Sequence, residues 1–301
     1  MQKLEMFNKD VLEERLGPLK KSTKLKSLEA IEKYTLKKCK ENGLEHSYDV
    51  IAQEMPYFKT MGYTEYATNF IMQPLNSDLR SQQNRDAFLD DCEVLDFCEY
   101  FRKNIKEKEA NKYQDREADF KRYPARDFLV VLPGSNKIKE KTCLNKLKKI
   151  AKTHKGKVWF KPHPITVHAI IGELKDILGP ENILPRDIDL YYYLPKAKKV
   201  YTTHISESAT YAVALGIPIE PIDVYIGMET GSFYNINRFL FEFQKDGIAY
   251  INKVYSSSKS GIINPVIDKD WKQKIDKYFE YIIARRNVFK DWYVIKEKNA
   301  K

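Results

Sequence analysis

A lysine and a histidine framed by two prolines stand together at Lys161-Pro162-His163-Pro164, and further along two serines flank a glutamate in Thr203-His204-Ile205-Ser206-Glu207-Ser208-Ala209-Thr210. The prolines stiffen the backbone on either side of His163, so its imidazole has a fixed direction and can donate to a phosphate, while Lys161 adds a point charge. Ser206 and Ser208 precede a run that reads as helix, where hydroxyls and free backbone amides converge on one anion. A third candidate is Pro133-Gly134-Ser135-Asn136, in which Gly134 lets the backbone approach a ligand and Ser135 or Asn136 can present a hydroxyl or amide. These three stretches share one chemistry: holding a negatively charged group.

The elements that must position them alternate from Asp127 onward. Phe128-Leu129-Val130-Val131-Leu132 reads as a strand, Leu144, Leu147 and Ile150 mark a helix, and Val158-Trp159-Phe160 is the next strand. A helix over Val167 to Leu178 ends at Gly179-Pro180. A short strand near Asn182 to Leu184, a helix over Asp187 to Lys196 and a strand over Lys199 to Thr203 follow. The serine-opened helix then runs to Leu215 and stops at Gly216, ahead of a strand at Ile217-Pro218-Ile219. Alternating strands and helices imply βαβ units in a parallel sheet, and ligands of such sheets bind at the strand ends. Residues 1–125 read mostly as helix, over Leu28 to Lys40 and Phe88 to Lys108, with short strands at Tyr48 to Ala52 and Asn69 to Met72. The fold expected is therefore α/β: a helix-rich domain over 1–125, a Rossmann-type sheet domain over 126–268, and a C-terminal amphipathic helix within 269–301 packing back across both.

Charge is unevenly divided. Residues 1–125 carry 22 Lys+Arg against 23 Asp+Glu, which leaves 30 against 19 of the totals of 52 and 42 for the remainder. The densest basic stretch, Asn136 to Lys157, has nine lysines and one glutamate. It is either a solvated helix face or a surface for a polyanion such as duplex DNA or an anionic membrane. The four cysteines, Cys39, Cys92, Cys98 and Cys143, show no Cys-x-x-Cys pair, and no two histidines have the helical spacing of metal ligands, so no metal is expected. No Gly-x-Gly-x-x-Gly and no Gly-x-Ser-x-Gly occurs, which disfavours a nicotinamide cofactor and a serine hydrolase. With no signal-like start and no apolar run long enough to span a bilayer, a cytoplasmic location is expected.

Lys161 to Pro164, then Asp189 to Val200, then Ser206 through the Ala-rich run to Gly216-Ile217-Pro218, resemble the C-terminal half of GT-B glycosyltransferases. The likeness is strongest to capsule-type, sialyl- and Kdo-transferase groups with a His-Pro motif and a serine motif, and it covers residues 127–225. It implies that His163, Pro164, Ser206 and Ser208 hold the nucleotide and its phosphate. Lys161, Gly134, Ser135, Asn136 and Glu207 complete the expected nucleotide-sugar site. The Glu-x7-Glu signature of many retaining members is absent after Ser206, which favours inversion, and the repeated βαβ pattern of the usual N-terminal partner is absent from residues 1–125. In those families the base that deprotonates the acceptor lies in the N-terminal domain, and Glu65 is the nominal choice.

The function expected is transfer of a sugar from a nucleotide-sugar donor to a hydroxyl, without a metal. A hydroxylated base in DNA is the first acceptor to test, reached through the 136–157 lysines. A surface glycan, as for a sialyl- or Kdo-transferase held at an anionic membrane, is the alternative. A non-catalytic nucleotide or nucleic-acid binding module is the rival from another class.

Overall fold

The computed structural model describes residues 25–43, 69–72, 92–106, 120–134, 144–164, 166–223 and 233–284. Four parallel strands, β2 (Phe128–Val131), β3 (Val158–Lys161), β4 (Lys199–Thr202) and β5 (Ile219–Pro221), lie in the order β3-β2-β4-β5. These strands read as near-continuous apolar runs because the sheet is covered on both sides. Alternate residues enter different cores. Val130, Val158, Phe160 and Tyr201 meet Leu147 and Ile150 of α3 (Leu144–Thr153) and Leu174 and Leu178 of α4 (His168–Leu178). Leu129, Val131, Trp159 and Val200 face the opposite layer, built from α2 (Phe97–Lys106), α6 (Ser208–Ala214), α7 (Tyr234–Glu242) and α8 (Gly247–Ser256). The chain is thus mixed α/β with a four-stranded parallel sheet, as the alternation implied.

A smaller antiparallel pair joins distant parts of the sequence. β1 (Phe70–Ile71) pairs with β6 (Ile262–Ile263), and Met72 N–H donates to the Gly261 carbonyl at 2.8 Å. Gly261 has φ +68, and a Cβ there would come within 2.8 Å of the Tyr278 ring and 3.0 Å of Met72, so no larger residue fits this crossing. α1 (Lys26–Glu41) buries Leu28, Ile31, Thr35 and Cys39 at helical spacing against Phe70, Ile263 and the helix over 271–284, which supplies Ile275, Tyr278 and Phe279. Packing crosses the expected boundary at 125/126: Phe97, Cys98, Phe101 and Ile105 of α2 lie in the same core as Leu129 and Val131 of the sheet.

Several details depart from the sequence expectations. The 187–196 helix is one turn, α5 (Leu190–Tyr193), followed by a tighter turn at Leu194–Lys196, because Pro195 lacks the N–H a longer helix needs. Ile183 forms a single parallel bridge to Phe160 in place of a strand. Leu144 is 37% exposed, leaving Leu147 and Ile150 as the inward residues of α3. β5 starts at Ile219, since Ile217 N–H is taken by the Ala212 carbonyl where Gly216, at φ +73, ends the helix. The strand expected at Tyr48 to Ala52 lies outside the described residues. Among the described residues no helix is long and apolar enough to cross a membrane.

Candidate functional site

The strand order places β2 between β3 and β4, so the chain leaves β2 in one direction and returns to its other side; ligand crevices of open α/β sheets form at such a switch point, beyond the carboxyl ends of the strands. Pro133-Gly134, the His-Pro turn and the serine stretch follow β2, β3 and β4 at that end. Leu132 N–H donates to the Lys161 carbonyl at 3.0 Å, which ties the exit of β2 to the His-Pro turn. On the other side a row of hydroxyls bridges β4 and β2. Ser206 Oγ and Ser208 Oγ are 2.7 Å apart, Ser208 Oγ and Thr202 Oγ1 are 3.0 Å apart, and Thr202 Oγ1 donates to the Val131 carbonyl at 3.4 Å.

The register of β4 with β5 adds a pair that the motifs did not single out. Thr202 lies opposite Pro221, so two residues further His204 and Asp223 emerge side by side. Asp223 accepts from the His204 backbone N–H at 3.0 and 3.2 Å and lies 2.8 Å from its Nδ1. A carboxylate can only accept, so the ring form that satisfies this contact carries a proton on Nδ1. The side chains are 7% and 3% exposed, and the imidazole packs 5.4 Å from the Tyr234 ring and 4.8 Å from that of Phe241. Asn237 fixes the backbone between them, donating Nδ2 to the His204 and Ser206 carbonyls at 2.7 Å each. Thr203, fully buried, has an Oγ1 without a hydrogen-bond partner among the described residues.

The expected site residues divide by what holds them. Ser206 and Ser208 share the hydroxyl row, and Gly134, His163 and Pro164 are half-buried at the ends of β2 and β3. The His163 carbonyl accepts from Thr166 N–H at 2.8 Å, closing the His-Pro turn. Lys161 is buried, and its ammonium donates to the Pro162 and Arg186 carbonyls at 2.7 Å each, so it braces the turn from inside. Glu207 reaches β1: its Oε1 accepts from Asn69 Nδ2 at 2.9 Å and from Tyr211 O–H at 3.3 Å, while Asn264 Nδ2 donates to Asn69 Oδ1 at 3.0 Å. Burial, with Glu207 beside it, pushes the Tyr211 phenol well above its ordinary range and keeps it a donor. Ser135, Asn136 and Glu65 lie outside the described residues. His154 sits by the first residue of β2, stacked 3.6 Å from Phe128 with Nε2 3.1 Å from Tyr201 Oη. Its pKa is lowered by burial first and by Lys199 second.

The arrangement offers hydroxyl and imidazole groups at the ends of adjacent parallel strands, with the His204 ring oriented by a carboxylate. Since Thr202 donates to Val131, the hydroxyl protons run from Ser206 to Ser208 to Thr202, and a phosphate would be met by an imidazole and by Ser206 once its hydroxyl turns from the row. Among the described residues no group of three or more His, Cys, Asp or Glu is placed to hold a metal ion. Sequence reasoning missed His204, Asp223 and Asn237. The available signal was positional, since His204 and Asp223 each lie two residues beyond the end of a strand, equally far from the paired residues Thr202 and Pro221. Comparison with family models, with curated proteins and with solved structures gave no match.

Proposed function

We propose that this chain is a glycosyltransferase that moves a sugar from a nucleotide-sugar donor to a hydroxyl acceptor, with the donor phosphate seated across the ends of β2, β3 and β4. The observation that carries this reading is the hydroxyl row Ser206–Ser208–Thr202, which reaches from the serine turn to the end of β2 at the switch point. The GT-B resemblance gives His163, Pro164, Ser206 and Ser208 the same task. In an inverting transfer the acceptor oxygen loses its proton to a base as the nucleotide departs as an anion, and His163, together with a Ser206 hydroxyl turned away from Ser208, would donate to that anion. Glu65 is the proposed base.

For the acceptor, one observation favours a polyanion: Lys148, Lys149 and Lys152 of α3 are exposed, forming a basic face on the outer helix layer. Duplex DNA with a hydroxylated base is the acceptor proposed first, and its binding should fall steeply with added salt. Surface glycan at an anionic membrane is the alternative, which salt-insensitive or absent duplex binding would leave standing. The donor reading is tested by a thermal-shift screen with CMP, UDP, GDP and their sugar conjugates. One nucleotide should raise the melting temperature selectively, and His163→Ala should remove the rise. No shift with any nucleotide, or an undiminished shift in the variant, would reject the site.

A further inference from the structure

Beside the edge strand β3 lies a cavity of about 670 Å³ that none of the strand-end residues described above lines. Trp159 forms one wall, its Nε1–H donating to the Pro124 carbonyl at 2.8 Å, with the Tyr123 ring edge-on at 6.0 Å. The guanidinium of Arg126 lies over the indole, 3.5 Å from the ring centroid. Nη1 donates to the Val158 carbonyl at 2.8 Å and Asn182 Oδ1 at 3.1 Å, and Nη2 donates to the Glu181 carbonyl at 3.1 Å.

All three acceptors are neutral oxygens. Glu181 offers Arg126 its backbone, while its carboxylate Oε1 accepts from Asn182 Nδ2 at 3.2 Å. Among the described residues no carboxylate lies within ion-pair distance of Arg126, and two of the five guanidinium N–H donors, on Nε and Nη2, are left without an acceptor. A partly desolvated cation of this kind is unfavourable until an anion meets it. Burial pulls its pKa down, and the field of Glu181 only partly offsets this. The exposed Lys175 also lines the cavity.

We infer that this cavity binds a compact anion, with phosphate or carboxylate groups, received by the unused N–H donors of Arg126. Concavity favours a small ligand over a polymer. The ligand's charge is recognised by Arg126 directly and by the exposed Lys175 through its field. Arg186 links this cavity to the His-Pro turn, since its carbonyl receives Lys161 and its Nη1 donates to the Thr166 carbonyl at 2.9 Å, but the inference does not depend on the glycosyl-transfer reading.

The test is a fluorescence titration of the full chain with inorganic pyrophosphate and, separately, with citrate at low salt. Trp159 is one of three tryptophans, and Trp159→Phe identifies its share of the signal. A saturable change is expected with at least one anion, and the one that binds tells phosphate from carboxylate chemistry. Arg126→Gln should abolish it. Because Arg126 also braces three oxygens, the exposed Lys175→Glu is the second variant; it should keep the wild-type circular dichroism and weaken binding about tenfold or more. His163→Ala should leave the affinity unchanged. No saturable change with either anion, wild-type affinity in Lys175→Glu, or an equal loss in His163→Ala would overturn the inference.

Discussion

The His204–Asp223 pair at the strand ends and the Lys274–Asp268 pair at the start of the 271–284 helix are about equally dry, with side chains 7% and 3% exposed in the first and 9% and 5% in the second. They are held in different ways. Lys274 donates to the Tyr255 carbonyl at 2.6 Å and to Asp268 Oδ1 at 3.0 Å, and Asp268 Oδ2 accepts from Asn264 N–H at 2.6 Å. Burial is the largest influence on both members, lowering the Lys274 pKa and raising that of Asp268. Desolvation therefore outweighs pairing, and each charge is tolerable only because the other is present. At the strand ends the carboxylate serves a loop: it takes a backbone N–H and a ring nitrogen of the same residue, so it sets where the turn runs and how the imidazole points. One pair staples a helix to the scaffold, and the other shapes a site.

Separating the members of the staple should produce the largest effect. Lys274→Met leaves Asp268 buried without its cation and should cost about 3–5 kcal/mol, whereas the double variant Lys274→Met/Asp268→Leu should recover part of that loss, limited by the Asn264 N–H and Tyr255 carbonyl it leaves without partners. Urea denaturation followed by circular dichroism checks both, and a single variant as stable as the double would break the contrast. At the strand ends Asn237→Ala removes the donor to one buried and one half-buried carbonyl and should cost about 2–3 kcal/mol. It should also weaken nucleotide binding, since the Ser206 carbonyl loses its anchor; a stability loss with intact nucleotide affinity would assign Asn237 to the scaffold alone. The smallest effect belongs to an exposed pair. Lys198 meets Asp127 at 3.1 Å with the lysine side chain 73% exposed, and Lys198→Ala should shift stability by less than about 0.5 kcal/mol in the same assay.

The parts of this fold legible in the sequence are those whose physics is local. Phe128 to Val131, Val158 to Phe160 and Val200 to Thr202 read as strands because both faces are buried, and the Gly216 stop was visible because few residues accept its positive φ. The chemistry of the His-Pro turn was visible as residue types, but not that Lys161 points inward, because the Arg186 carbonyl that receives it comes from a separate segment. The register that brings His204 to Asp223 was hidden for the same reason. α7 and α8 escaped notice where buried asparagines break the apolar stripe: Asn235 and Asn237 are both inside, and Asn252 Oδ1 accepts the Cys98 N–H at 2.9 Å. β6, two residues long, has no periodicity to read, and its partner Phe70–Ile71 lies far away in the chain.

The most direct measurement on the strand-end site is histidine imidazole NMR, which the small number of histidines, five, makes practical. On adding the nucleotide selected by the thermal-shift screen, the ring signals of His163 and His204 should move together and saturate at one affinity, while that of His154, beside the first residue of β2, should stay where it is. Nucleotide binding that moves His154 and leaves His163 and His204 unchanged would contradict a donor site at the ends of β2, β3 and β4.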